Sequence, residues 1–142
     1  MLSTIFCDAS LHGDSAGIAL VAEDENGACM DAVMKNVQAK DIMEAELKGI
    51  LFAVKYAKNL KADHPILIQT DNKGCAAIIN GEKRVPYSYS RIVEEINDRP
   101  SDVFIRWESR RENQCADALA SLAYRRKNLK NVDVESILSI DL

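Results

Sequence analysis

The spacing of apolar residues changes near residue 40 from a strand pattern to a helix pattern, and this change limits the folds that the chain can adopt. Before residue 40, three apolar runs of strand length alternate with turn signals, at residues 2–10, 16–22 and 29–37. Asn26-Gly27 lies in the second connection and is typical of a hairpin turn. From Ile42 to Leu60 the apolar residues recur at helical spacing, with Asp41 placed as the N-cap. The sequence therefore predicts an antiparallel three-strand meander followed by a long helix.

The second half of the chain alternates between predicted strands and helices. These are a strand at 65–70, a short helix at 73–79, a helix at 89–96, a strand at 102–107 and a last helix at 113–127. The order βββ-α-β-α-α-β-α requires antiparallel pairing in the meander and parallel pairing after it. We expect an α/β fold (α+β mixed) with a five-stranded mixed sheet flanked by helices. One domain would cover residues 1–127, and residues 128–142 would form a C-terminal tail with a weak helical pattern.

Length and composition are those of one ordinary globular domain. The chain has 142 residues, of which 47% are hydrophobic and 28% are charged. No apolar run approaches the roughly 20 residues that span a bilayer. The first residues also lack the basic segment of a signal peptide. We therefore expect a cytoplasmic protein with no membrane partner; the sequence does not indicate its oligomeric state.

Charge and cysteine usage restrict the kinds of site that the chain can carry. The net charge of −4 gives no general attraction for phosphates, so nucleic-acid binding would depend on a local basic patch and metal ions. The cysteines are scattered without a Cys-x-x-Cys pair or a histidine cluster, which argues against a structural zinc site. We expect small buried hydrophobic side chains at these positions, which are Cys7, Cys29, Cys75 and Cys115.

Four carboxylates lie within or directly after apolar stretches. Asp8 ends the apolar start of the first predicted strand, and Asp71 follows the strand at 65–70. Glu46 lies beside the apolar stripe of the long helix, and Asp117 lies one turn into the last helix. Each one alone could be a turn former, a helix cap or a solvated residue. If the two strands are parallel neighbours, however, their carboxyl ends meet at one edge of the sheet, and two helices can bring the other two acids there.

Carboxylates gathered at one point repel one another unless cations lie between them. Hard divalent cations relieve this repulsion, and a site made only of oxygen atoms favours Mg²⁺ or Mn²⁺ over zinc. The sequence therefore favours a divalent-metal site.

Four segments carry a resemblance to a known family. They are residues 6–10 (Phe-Cys-Asp-Ala-Ser), 44–50 (Glu-Ala-Glu-Leu-Lys-Gly-Ile), 68–72 (Ile-Gln-Thr-Asp-Asn) and 111–120 (Arg-Glu-Asn-Gln-Cys-Ala-Asp-Ala-Leu-Ala). With these four segments in this order, the sequence over residues 2–127 resembles type 1 ribonuclease H. It resembles more closely the bacterial and plant-type reverse-transcriptase-like branch of that family. The resemblance implies an RNase H-like fold and a metal-dependent endonuclease that hydrolyses the RNA strand of RNA–DNA hybrids.

The resemblance also implies roles for particular residues. Asp8, Glu46, Asp71 and Asp117 would be the catalytic residues and would ligate two Mg²⁺ ions, with Mn²⁺ as a substitute. Asp8 would bridge the ions, Glu46 and Asp71 would bind one of them, and Asp117 would bind the other. The substrate-binding candidates are Ser10, Asn72, Lys83, Arg84, Arg110 and Asn113.

The chain departs from the family pattern in two places. Many members carry a histidine in the loop before the last helix, whereas residues 108–112 contain none. Neither His12, expected in a turn, nor His64 is at the matching position. The basic region between the middle helices is also sparse. This region would either bind a phosphate backbone or form a solvated loop with an aromatic anchor. Its basic and aromatic residues are Lys83, Arg84, Tyr87, Tyr89 and Arg91.

Two alternatives therefore stay open. One is a catalytically weak or inactive nucleic-acid-binding protein with the same fold, favoured by the missing histidine and the acidic composition. The other is a different nuclease on the same architecture, such as an exonuclease or a resolvase, because a fold does not determine a substrate.

Overall fold

The structure is a computed structural model that describes residues 2–109. The first strands are β1 (Ser3–His12), β2 (Ser15–Glu23) and β3 (Cys29–Gln38), and helix α1 (Ile42–Leu60) follows them. The chain continues through β4 (Ile66–Thr70), α2 (Lys73–Ile79), a 3₁₀ helix (Tyr87–Tyr89), α3 (Ser90–Asn97) and β5 (Val103–Trp107). The predicted helix at 113–127 and the tail at 128–142 lie outside the described residues.

The five strands form one mixed sheet in the order β3-β2-β1-β4-β5. The pairs β1–β2 and β2–β3 are antiparallel, whereas β1–β4 and β4–β5 are parallel. The predicted meander followed by parallel crossovers is thus confirmed. Strand β1 lies at the centre of the sheet and is hydrogen-bonded on both sides.

The hydrophobic core lies between the sheet and α1. Side chains that alternate along β1 and β2 meet the apolar stripe of α1, and α3 packs against the same helix. Six of the largest side chains that are completely enclosed lie on β1, β2 and α1, and these are Ile5, Ile18, Leu20, Leu47, Ile50 and Phe52. Among residues 2–109, no helix is long and apolar enough to span a membrane.

Helix limits follow the local signals in the sequence. The Asp41 carboxylate accepts a hydrogen bond from the backbone N–H of Glu44 at 2.8 Å and so caps α1. Asn72 caps α2 in the same way, through the backbone N–H of Cys75 at 2.9 Å. Both caps satisfy N–H groups that have no partner within their helix.

Two turns differ from the prediction. His12 was expected in the first turn, but it is the last residue of β1 and pairs with Ser15, so the turn contains only Gly13 and Asp14. The loop between β2 and β3 is longer than the two-residue hairpin turn that was predicted. The Asp24 carboxylate there accepts backbone N–H bonds from Asn26 (2.9 Å) and Ala28 (3.0 Å) and organises a longer loop.

The cysteines follow the prediction only in part. Cys7 and Cys75 are buried, as expected of small hydrophobic side chains, but Cys29 at the start of edge strand β3 is exposed. Position 115 lies outside the described residues.

Candidate metal centre

The register of β1 and β4 brings Asp8 and Asp71 together. The last parallel pair between these strands is Cys7 with Thr70, so the two acids are the next residues on each chain. Asp71 follows the end of β4, as predicted. Asp8, in contrast, does not end its strand, because β1 continues to His12 while still paired with β2. The edge where the acids meet is formed by the end of β4 alone.

Glu46 reaches the same point from the second turn of α1. This helix runs close to β1, and a Cβ atom placed on Gly49 would lie 3.4 Å from the Asp8 backbone oxygen. The helix and the strand are therefore so close at this position that only a small side chain fits between them. As a result the Glu46 side chain is 6% exposed, although it is charged and lies beside the apolar stripe.

The three carboxylates form a compact cluster. One oxygen of Asp8, one of Glu46 and one of Asp71 lie within 4.8 Å of one another. Asp8 is 1% exposed and Asp71 is partly exposed, but both carboxylate oxygens of Asp8 and Oδ2 of Asp71 are buried. The predicted fourth member, Asp117, lies outside the described residues. An all-oxygen donor set at this spacing is suited to a hard divalent cation.

Two thiols border the cluster. Burial, followed by the charges of Glu46, Asp8 and Asp71, raises the pKa of Cys7 well above its ordinary value. Burial, followed by the charge of Glu46, raises the pKa of Cys75 to about 12. Both thiols therefore remain neutral near pH 7.

Tyr89 fixes the start of the helix that carries Glu46. Its hydroxyl donates a hydrogen bond to the Asp41 carboxylate, and the Lys40 ammonium lies 4.9 Å from the centre of its ring. The hydrogen bond raises the pKa of Tyr89 to about 12 and lowers the pKa of Asp41. Tyr89 is buried, whereas Tyr87 is 94% exposed, so Tyr89 is the aromatic anchor of this loop.

The predicted substrate-binding residues lie at different distances from the cluster. Ser10 follows Asp8 by two positions on β1, and its Oγ lies 2.8 Å from Nε2 of His12. Asn72 follows Asp71 directly and uses its carbonyl oxygen to cap α2. Lys83 and Arg84 are exposed in the loop after α2. Arg110 and Asn113 lie outside the described residues.

The two histidines lie near opposite ends of β1. His12 is four positions beyond Asp8. His64 lies beside the start of β1, where its Nε2 is 2.6 Å from Ser3 Oγ. The start of β1 is five residues from Asp8, or about 17 Å along an extended strand.

Lys73 and Trp107 lie beside the centre, although neither was predicted as a site residue. The Trp107 Nε1–H donates to the Asp71 carbonyl oxygen at 3.2 Å, and the Lys73 ammonium lies 5.3 Å from the centroid of the Trp107 ring. The position of Trp107 follows from its pairing with Thr70, which a single sequence does not reveal. The only available signal was an aromatic residue at the end of a predicted parallel strand.

Comparison with curated proteins gave no match. Solved structures do match. RNase H1 from the halophilic archaeon Halobacterium salinarum has a TM-score of 0.78 at 19% identity, covering 88% of this chain and 98% of that chain. The N-terminal RNase H domain of a Mycobacterium tuberculosis protein has a TM-score of 0.77 at 20% identity, covering 87% and 94%. LC11-RNase H1 from compost, solved in complex with an RNA/DNA hybrid, has a TM-score of 0.73 at 18% identity, covering 84% and 94%.

These structural likenesses, all at low identity, show that the chain has the RNase H-like fold. The model of one family, described as reverse transcriptase-like, matches residues 6–123, which is most of the chain. The chain therefore belongs to the reverse transcriptase-like family of RNase H-like proteins.

Proposed function

We propose that this protein is a metal-dependent endonuclease that hydrolyses the RNA strand of RNA–DNA hybrids by a two-metal-ion mechanism. The observation that carries the proposal is the cluster of Asp8, Glu46 and Asp71, whose carboxylate oxygens lie within 4.8 Å of one another although the residues come from three different elements. Solved proteins of the same fold are named ribonucleases H, and one of them was solved with a hybrid bound.

The donor set supports magnesium as the ion, with manganese as a substitute. Asp8, Glu46, Asp71 and Asp117 would hold two ions, with Asp8 shared between them. Ions bound there would activate a water molecule for attack on the phosphodiester and stabilise the oxygen that leaves. Carboxylates on a strand and a helix are suited to this task, because such elements hold ligands more rigidly than loops do.

The protein's own contribution is to fix the ligands before the substrate arrives. Asp8 lies on the central strand, which is hydrogen-bonded on both sides. Glu46 lies on a helix whose start is capped by Asp41 and tied to Tyr89. Ligands that are already in place need little reorganisation during the reaction, and this lowers its barrier.

Recognition of RNA would come from polar groups next to the acids. A 2′-hydroxyl is both a donor and an acceptor and distinguishes RNA from DNA. Ser10 and Asn72 lie within two positions of a cluster acid and offer hydroxyl and amide groups. We assign them to the RNA strand, and we assign Lys83 and Arg84 to phosphates near the cluster.

Cleavage of labelled substrates tests the proposal. The purified protein is incubated with an RNA–DNA hybrid, duplex DNA, duplex RNA and single strands, each with Mg²⁺ or Mn²⁺. We expect cleavage of the RNA strand of the hybrid, and we expect Asp71→Asn to slow it by about 100-fold or more. Glu94→Gln, which changes an exposed acid on α3, is the matched control.

The same panel separates the alternatives. No cleavage, or cleavage that Asp71→Asn leaves undiminished, would show that the assigned chemistry is wrong. Preferred cleavage of DNA would indicate another nuclease on this fold. Binding of the hybrid without turnover would indicate a non-catalytic binding protein, which the histidine-free sequence of residues 108–112 favours.

A further inference from the structure

A cleft between α2 and β5 lies next to the metal centre. Its volume is about 490 Å³, and its polar and aromatic lining includes Lys73, Asn80, Glu82, Lys83, Arg106 and Trp107. The Asn80 side-chain amide donates to the Ile105 carbonyl oxygen at 3.1 Å and joins the two walls of the cleft. A cavity of this size is in the range of small-ligand sites, which lie between about 300 and 1,000 Å³.

Trp107 connects the cleft to the acids. It is the last residue of β5, it pairs with Thr70, and its indole N–H donates to the Asp71 carbonyl oxygen at 3.2 Å. The side chain is nevertheless 42% exposed. Since neighbouring strands are about 4.8 Å apart, β5 lies about 10 Å from β1 and Asp8. A strand of nucleic acid that passes over the acids would therefore meet the indole within a short distance.

The charges of the cleft favour a phosphate. Lys73 and Lys83 are both exposed there, and the Lys73 ammonium is 5.3 Å from the indole centroid. Arg106 forms an ion pair with Glu108 at 2.7 Å, so its charge is largely balanced, and Glu82 contributes one negative charge. The lining therefore carries a local positive excess in a chain whose net charge is −4.

We propose that this cleft binds one nucleotide of a single nucleic-acid strand that continues from the metal centre, with its base against Trp107 and its phosphate near Lys73 and Lys83. The location beside a cleavage site rests on the proposed function, but the binding itself depends only on the cleft. Exposed aromatic rings stack on bases of any sequence, and lysines supply the attraction for the backbone. The Lys73 ammonium leaves the indole face and pairs with the phosphate when the base stacks.

Trp107 provides a direct signal, because it is the only tryptophan in the sequence. The probe is a short single-stranded RNA, added while a chelator removes divalent ions so that no cleavage occurs. We expect saturable quenching of the tryptophan emission. Lys73→Ala and Lys83→Ala together should weaken binding and lower the slope of log K against log salt by about 0.7, the contribution of one neutralised phosphate on a single strand.

Two further variants sharpen the test. Lys58→Ala removes one exposed lysine near the far end of α1 and should leave both the affinity and the salt slope unchanged. Trp107→Ala, followed with a fluorescently labelled RNA, should weaken binding by roughly 5- to 150-fold, the range for loss of one stacked base. Because Trp107→Ala could disturb the end of β5, the lysine variants carry the conclusion if that protein does not fold.

The results separate this proposal from the proposed hydrolysis. Quenching that depends on Lys73 and Lys83 supports the cleft even if no hybrid is cleaved. Binding of RNA that leaves the Trp107 emission unchanged, no binding of RNA, or an equal effect of Lys58→Ala would overturn the cleft assignment even if hybrids are cleaved.

Discussion

Replacing Asp8 with asparagine should make the metal-free protein more stable. The oxygens of the cluster lie within 4.8 Å of one another. At this distance two unit charges repel by about 3.5 kcal/mol when the effective dielectric constant is about 20. Asp8 takes part in two such pairs, with Glu46 and with Asp71, and relaxation of the folded protein and solvent screening reduce their sum. We therefore expect Asp8→Asn to raise the free energy of unfolding by about 2–4 kcal/mol in chelator.

Magnesium should narrow this difference. An ion that binds only the folded wild-type protein stabilises it by about 2.7 kcal/mol at one hundred times its dissociation constant. Asp8→Asn lacks one ligand and should gain much less. Denaturant unfolding with chelator and with Mg²⁺ measures both effects. The control is Glu94→Gln, at an exposed site on α3, whose free energy of unfolding in chelator should stay within about 0.5 kcal/mol of wild type.

Two results would refute the reasoning. If Asp8→Asn is less stable than wild type in chelator, then repulsion does not dominate the cluster. If Mg²⁺ stabilises the wild type and Asp8→Asn equally, then the cluster does not bind the ion.

Three further predictions concern the surroundings of the centre. Tyr89→Phe removes the hydrogen bond to Asp41 and should lower the free energy of unfolding by about 1–2 kcal/mol at pH 7. Because the pKa of Asp41 is lowered in the folded protein, this stabilisation is lost as the pH falls through that pKa, so wild type and Tyr89→Phe should converge in acid. Gly49→Ala should be tolerated, because its Cβ would make ordinary contacts. Gly49→Val should lower the free energy of unfolding by about 1–3 kcal/mol and weaken metal binding. Denaturant unfolding and metal titration measure these two effects. An alkylating reagent should modify exposed Cys29 rapidly and Cys7 only on unfolding, because Cys7 is buried and its pKa is raised. Peptide mass mapping measures the two rates, and equal rates would contradict the structure.

Local signals made much of the fold predictable. The cap at Asp41 and the apolar stripe after it predicted α1 with its observed limits of Ile42–Leu60. The convergence of Asp8 and Asp71 was also predictable, because parallel pairing of the two apolar strands places the residues after Cys7 and Thr70 side by side. In both cases neighbouring residues, or a general rule of topology, carry the necessary information.

Features that depend on distant pairing could not be predicted. The continuation of β1 to His12 depends on hydrogen bonds to β2, and the turn chemistry of Gly13 concealed it. The contact of Tyr89 with Asp41 joins residues 48 positions apart, and the contact of Trp107 with Asp71 depends on the register of β5. These strand registers cannot be predicted from a single sequence.

The central claim is that the acidic cluster makes this chain a hybrid-specific ribonuclease. The most direct test follows the RNA strand of a labelled RNA–DNA hybrid during titration with Mg²⁺, for wild type and for Asp8→Asn. We expect that wild type cuts the RNA strand, that a chelator stops cleavage, and that Asp8→Asn is slower by about 100-fold or more. An RNA strand that stays intact at every Mg²⁺ concentration, or cleavage at the wild-type rate by Asp8→Asn, would contradict it.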